Sequence, residues 1–427
     1  MTRTVRRVGV AAAIGLIALG CTPESVPGGG GTTTTTPGGG TSTTTTTSAP
    51  PASTSIPPSG TPLNGVLRVS AGYSHACALL SDTTVACWGS NGGGQLGDNT
   101  TLDSSTPVQV PGLTGVTQIS TGRFHTCALL TTGRVKCWGL GIYGQLGRAI
   151  GDATPSGSPS YVADLIGIIQ ISAGWNHTCA VRLDNTAWCW GQNSNGQLGN
   201  GSGSTFESEP RPVAVSTPPP GAGTPLSGVR SVAAGRASTC ARITFDAAVC
   251  WGANGSGELG NGTTTDSHFP TAPAAFVATM DLGVGAEFAC ARNNGLVTCW
   301  GRNVQGQLGN SSFTDSLVPV ATSITAAAGL SVGARTACVI GPARCWGDNV
   351  EGQLGIGTFT VVPPTGANTP APVIDLPAQP TQIAVGETFV CSVMPNTHVW
   401  CWGLNSAGQL GVATPVQSAT PVEVTFH

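Results

Sequence analysis

Val69-Ser70-Ala71-Gly72-Tyr73-Ser74-His75-Ala76-Cys77-Ala78-Leu79, followed by Cys87-Trp88-Gly89 and Gly94-Gln95-Leu96-Gly97, is the stretch that decides the fold. The tripeptide Cys-Trp-Gly returns at Cys137, Cys189, Cys250, Cys299, Cys345 and Cys401, with Trp-to-Trp spacings of 50, 52, 61, 49, 46 and 56 residues. Gly-Gln-Leu-Gly follows it each time, as Gly-Glu258-Leu-Gly in the fourth copy. A Pro-Val-x-Val segment follows most copies, as at Pro107–Val110, Pro212–Val215 and Pro421–Val424. Each unit therefore holds up to four short apolar runs with period-two character and no 3.6-residue stripe, which predicts strands. Units of about 40–50 residues with four strands each are propeller blades rather than helical solenoids.

Working outward, each unit carries two Cys. The pairs are Cys77/Cys87, Cys127/Cys137, Cys179/Cys189, Cys240/Cys250, Cys290/Cys299, Cys338/Cys345 and Cys391/Cys401. Their spacing lacks the short Cys-x2–4-Cys knuckles of a zinc site, so no metal is expected. Cys that face each other across an antiparallel hairpin lie within bridging distance. The length changes agree: ten-residue pairs leave a three-residue loop such as Thr131-Thr132-Gly133. The shorter pairs leave Asn294-Gly295, a type I′ turn, and Gly341-Pro342, expected to be type II′. Seven such bridges call for an oxidising compartment.

Composition narrows the partners. Only 9% of the 427 residues are charged and the net charge is −3, so no basic stripe exists for nucleic acid. The N-terminus reads as an export signal over residues 1–20: Arg3, Arg6 and Arg7, then an uncharged run too short for a bilayer, then Ala18-Leu19-Gly20-Cys21. Cys21 resembles the lipidation site of bacterial lipoproteins. Residues 21–62 read as a disordered linker, almost entirely Thr, Ser, Pro and Gly, with a reach of about 35 Å. Residues 63–427 read as the propeller. The expected location is outside the cytoplasm, lipid-anchored at the outer face of a bacterial membrane or cell surface, or secreted.

The pattern Ala-Gly-x-x-His-x-Cys-Ala-Leu, Val-x-Cys-Trp-Gly, Asn-x-x-Gly-Gln-Leu-Gly resembles the regulator-of-chromosome-condensation repeat family over about residues 64–427. The resemblance implies an all-β, seven-bladed β-propeller. The chain begins its first unit without a Pro-Val-x-Val strand and ends on a spare copy. Val422–Val424 are therefore expected to complete the blade begun by residues 66–88, so that N- and C-terminal strands close the ring in one blade. The resemblance also implies two alternative activities. One is guanine-nucleotide exchange, known from the family's eukaryotic founder; the other is inhibition in the manner of exported propeller-type β-lactamase inhibitory proteins.

Candidate site residues are few. His75, His125 and His177 share one slot, held elsewhere by Ser238, Phe288, Thr336 and Phe389. It is read as an intrablade hydrogen bond to a loop carbonyl, not as a metal site. His268, His398 and His427 lie in unrelated contexts, and no catalytic constellation or cofactor motif is present in the sequence, so no enzyme and no cofactor are expected. The two residues after each Ala-Gly vary while their neighbours repeat. They include Tyr73, Arg123, Phe124, Trp175, Asn176, Arg236, Glu287, Arg335 and Glu387. Aromatics and Arg are enriched in interface hot spots, so Tyr73, Phe124 and Trp175, flanked by Arg123 and Arg236, form the candidate docking arc. The insertion Gly201–Thr224, with Phe206, Glu207, Glu209 and Pro218–Pro220, is a second candidate. The expected function is a monomeric extracytoplasmic scaffold for an extracellular protein partner, or alternatively a carbohydrate or cell-wall binder. The membrane enters only through the lipid anchor.

Overall fold

The computed structural model describes residues 60–148, 155–203, 208–218, 224–275, 279–360 and 362–426. The export signal, Cys21, the linker up to residue 59, Phe206, Glu207, Pro219, Pro220 and His427 lie outside them.

Seven four-stranded antiparallel sheets form the described chain. In chain order the blades span residues 66–109, 116–161, 168–214, 231–271, 281–321, 329–372 and 382–423. Within each, the four strands run in sequence order from the axis outward. Apolar residues cluster between blades rather than inside them. Leu79, Val85, Leu96 and Leu113 of blade 1, for example, pack on Ile119, Leu130 and Trp138 of blade 2. The seven Cys-Trp-Gly indoles are fully buried in these inter-blade layers. Each takes about 200 Å² from water, roughly 5 kcal/mol gross before ordering entropy. Every indole N–H also donates across the layer to the backbone carbonyl of the preceding blade's Gln (or Glu258), at 2.8–3.0 Å. The Gln side chain folds back on its own loop: Gln95 Oε1 accepts the Gly93 N–H at 2.8 Å, and Glu258 Oε2 accepts that of Ser256. The Cys-Trp-Gly and Gly-Gln-Leu-Gly motifs are thus two halves of one inter-blade contact.

The facing Cys pairs are bonded in all seven blades, with Cα atoms 4.0–4.1 Å apart. They sit at non-hydrogen-bonded positions, since the Leu80 N–H donates to Thr84 at the hairpin end and the pairs alternate from there. Asn294 and Gly295 both have positive φ, as a type I′ turn requires. Gly341 has positive φ too, but its peptide to Pro342 is cis, so that turn is not the type II′ turn expected.

Ring closure also differs from expectation. Gln417–Glu423 pairs with Val399–Leu404 in blade 7, and blade 1 is completed by its own Ser104–Gln109. The Pro-Val-x-Val strand hydrogen-bonds to the Cys-Trp strand that precedes it in the chain, so every blade is contiguous and no copy is spare. The ends meet in a smaller clasp. Pro62 bridges Thr425, and the Leu63 N–H donates to Val424 O at 2.9 Å. This clasp takes in Gly60–Pro62, which composition assigns to the linker. It lies at the hairpin end of the strands, where Gly65 meets Ser81 and Thr397.

Candidate functional site

The opposite end of the strands carries the residues that vary. There each inner strand ends in Gly: Gly72, Gly122, Gly174, Gly235, Gly285, Gly333 and Gly386. These form a ring about the axis. A Cβ on any of them would overlap the carbonyl oxygen of the next glycine. Backbone bonds tie the ring, among them Trp175 N–H to Gly235 O at 3.0 Å and Glu387 N–H to Gly72 O at 3.1 Å. Below it runs an axial cavity of about 800 Å³ lined by the inner strands.

The slot side chains lie against this ring, and the intrablade reading of the histidines is corrected by their contacts. His75 Nε2 meets Thr126 Oγ1 of the next blade at 2.9 Å, and His125–Thr178 and His177–Thr239 repeat the contact. Each Thr hydroxyl donates to the carbonyl that also receives the indole, as Thr126 does to Gln95 O. The Thr must therefore accept from His, which places the proton on Nε2 and leaves Nδ1 buried without a partner. Burial lowers the pKa values to about 3, 3 and 4 for His75, His125 and His177. These imidazoles stay neutral at physiological pH. Where the slot holds Phe288 or Phe389, the facing residue of the next blade is Ala337 or Ala76, in the same apolar cluster.

Above the ring, several expected site residues converge. Tyr73 packs on Phe124 and edge-on against Trp175, with centroids 5.8 Å apart in both pairs. Arg123 does not flank this arc but fills it. Its guanidinium carbon is 5.0, 4.9 and 5.0 Å from the centroids of Tyr73, Phe124 and Trp175. Its Nε is buried without a hydrogen-bond partner. Arg236 covers Trp175 at 4.8 Å and pairs with Glu287 at 3.1 Å. Glu387 faces the axis across from them. Burial raises its pKa against the pull of Arg335, Arg123 and Arg236, and its Oε2 is buried without a partner. Arg335 lies 3.9 Å from Asp348, and Asn176 donates to Gln192 at 3.0 Å.

Three rim residues escaped the sequence reading: Gln192, Arg302 and Asp348. Each follows Cys-Trp-Gly, and its backbone N–H bonds to the second rim residue, as Arg302 N–H does to Glu287 O at 2.8 Å. This position also varies among the repeats, through Ser90, Leu140, Gln192, Ala253, Arg302, Asp348 and Leu404. The criterion that picked out the other residues would have found it. Beside the arc, a groove of about 440 Å³ opens between blades 3 and 4 and reaches Arg123 of blade 2 and Glu287 of blade 5; Trp175, Asn195, Arg236, Glu258 and Asp266 also line it.

The repeat anatomy has known counterparts. A family described as Regulator of chromosome condensation (RCC1) repeat matches residues 66–95, 116–145 and 168–197 in one form, and 84–129, 132–181 and 184–242 in another. Residues 66–242 thus match RCC1 repeats. The ultraviolet-B receptor UVR8 of Arabidopsis thaliana is 31% identical over 215 residues, which covers 49% of this chain and 46% of UVR8. The chain thus spans about half the length of that relative. In three dimensions the propeller is similar to Prp20p from Saccharomyces cerevisiae (TM-score 0.67, 16% identity, 84% of this chain and 87% of that one). It is also similar to human WBSCR16 (TM-score 0.65, 22% identity, 78% and 87%). At these identities the likeness concerns the RCC1-type fold alone.

Proposed function

We propose that the glycine-ring rim is the protein-docking face of an exported scaffold, and that the protein works by binding rather than catalysis. One observation carries the reading: Arg123 is held among three aromatic rings at the mouth of the axis with no ion pair to the described residues. A half-buried, pre-positioned guanidinium surrounded by aromatic area has the composition of an interface hot spot, and its ordering cost is already met. Two further features support it. Prp20p, similar in fold, is a protein described with binding properties towards Gsp1p and histones. The described chain also begins at the far end of the strands, which leaves the rim clear of Gly60–Leu63.

A sugar-binding reading needs an open aromatic face, and Arg123 and Arg236 both lie over Trp175. The test is affinity capture of secreted and cell-surface proteins on the full-length protein and on an R123A/W175A variant, with binding isotherms for each recovered protein. A partner whose affinity drops by about 2 kcal/mol or more in the variant supports the proposal. Equal affinity for both proteins refutes it, as does glycan binding that depends on Trp175.

A further inference from the structure

Glu258 breaks the repeat at the one place where six other units have Gln, and the break serves no folding need. Gln95, Gln145, Gln197, Gln307, Gln353 and Gln409 each accept a loop N–H with the side-chain oxygen, and Glu258 does the same through Oε2. An amide would do this without burying a charge. The second terminal atom is what differs. In the Gln units it is an N–H₂ donor, buried without a partner in Gln197, Gln353 and Gln409. In blade 4 it is a carboxylate oxygen, on a side chain 4% exposed that lines the groove of about 440 Å³.

The other acids of this groove are engaged. Asp266 accepts from the backbone N–H of Asn254 at 2.9 Å and from Asn195 Nδ2 at 3.0 Å. Glu287 pairs with both Arg236 and Arg302. Glu258 is held by backbone N–H groups alone, those of Ser256 and of Glu258 itself, and has no cationic partner among the described residues. Burial, and then the nearby Glu287 and Asp266, raise its pKa, so a cation in the groove would relieve both penalties. Among the described residues no group of three or more His, Cys, Asp or Glu could hold a metal ion. One carboxylate without a cationic partner, in a narrow groove, suits a single ammonium or guanidinium on a stem. The wall opposite offers Trp175, whose ring already lies beneath Arg236. A buried charge that the fold could replace with a neutral isostere, placed in a cavity, marks a functional position.

We propose that the groove between blades 3 and 4 is a pocket for one basic side chain, lysine or arginine, presented by the protein that docks on the rim, with Glu258 as its counter-ion. The inference rests on the docking reading for its partner, but its test does not need that partner. The probes are N-acetyl-lysine amide and N-acetyl-arginine amide, in which only the side chain is charged. Norleucine and glutamate analogues capped in the same way, and N-acetylglucosamine, serve as controls. Binding to the full-length protein is followed by ligand-observed NMR titration. Saturable binding of at least one cationic probe, weakened tenfold or more in E258Q, supports the pocket. E258Q restores the residue of the other six units, so its thermal unfolding should match the wild type, and loss of binding can then be assigned to the carboxylate. Cation binding unchanged in E258Q, no cation binding, or preference for the glutamate analogue or the sugar overturns it. The docking face stands or falls separately, on R123A/W175A.

Discussion

The contact between His125 and Thr178 offers a quantitative test of how the ring is held. In Thr178→Ala, the His125 Nε2–H loses its acceptor in a site closed to water. An unsatisfied buried donor costs about 1–3 kcal/mol. Gln145 O loses the Thr hydroxyl but keeps the Trp190 indole at 2.9 Å. In His125→Phe, Thr178 keeps its bond to Gln145 O. The loss is then one net hydrogen bond, about 1 kcal/mol, plus contact between the phenyl ring and the Thr hydroxyl. The double variant H125F/T178A rebuilds the Phe/Ala pairing that blades 5 and 6 use at Phe288 and Ala337. It leaves no polar group stranded at the contact. The double should therefore cost at least about 1 kcal/mol less than the two singles summed, a coupling of the size seen for contacting residues. Urea unfolding with the disulfides intact, on wild type, both singles and the double, gives all four corners. Costs that add to within about 0.5 kcal/mol would refute the argument that these side chains form one unit across the blade boundary.

Three further outcomes follow from the same geometry. The neutral histidines have folded pKa values of about 3 to 4, while the unfolded chain protonates near 6.5, so below that pH the unfolded state binds more protons. Stability should be insensitive to them above pH 7 and fall as pH drops from about 6.5 towards 4. H125F/T178A should show a shallower acid limb by thermal melts across pH. Gly174→Ala pushes a methyl into Gly235 O and the His177 ring and should cost about 3 kcal/mol or more, whereas Gly92→Ala, in open space, should be near neutral. Equal melting temperatures for the two variants would rule out the close-packed ring. Finally, amides of the inner strand Asp281–Val284 should exchange faster than those of Val116–Thr121 and Ile168–Ala173 in hydrogen-exchange mass spectrometry. Uniform protection would contradict the uneven cross-linking described below.

The blade count and the bridge pattern were legible because each depends on residues close in sequence. Cys77 and Cys87 share a hairpin, and Asn294-Gly295 carries its own turn chemistry. What escaped lies between blades, where partners stand some fifty residues apart. The role of His75 is written at Thr126, one repeat later, and the residue facing Phe389 is Ala76, across the ring closure. This covariation is visible along the chain once slot and neighbour are compared from one unit to the next rather than within a unit. Ring closure was misjudged for a related reason. Pro-Val-x-Val shows no sign of which neighbour it pairs with, and only the register of Cys87 with Val108 assigns it to the unit it follows. At the rim, the residue types predicted an aromatic arc with Arg beside it. Arg123 fills the arc because its neighbours on both sides, Tyr73 and Trp175, converge on the axis, a consequence of radial geometry that no linear pattern encodes.

The inner strands beneath the arc are also tied to one another by side chains. Between blades 2 and 3, Gln118 bonds the backbone of Ile171 through both its oxygen and its nitrogen, and Ser120 accepts the Ala173 N–H. Between blades 3 and 4, Gln170 and Ser172 do the same for Val232 and Ala234. Between blades 1 and 2, Ser70 bonds Thr121. Between blades 7 and 1, Gln382 bonds the backbone of Val69 through both atoms at 2.8 Å, and between blades 6 and 7 Ser331 accepts the Val385 N–H at 3.1 Å. In blades 4 and 5 the corresponding positions hold Ser231 with Ala233, and Asp281 with Gly283, which make no such bonds to the next inner strand. Tyr73, Arg123, Trp175 and Arg236 stand at the ends of four of the inner strands tied in this way, and the untied boundaries are those on either side of blade 5. A binding arc gains from a rigid base, because whatever freedom its side chains keep must be surrendered on association. The three His–Thr contacts fall at the three boundaries between these four strands. Polar side chains buried between blades are costly unless fully paired, and here they are concentrated where they hold the rim residues in place. Blades 5 and 6, whose shared boundary relies on apolar contacts such as Phe288 against Ala337, carry rim positions filled by Ala286 and Ala334.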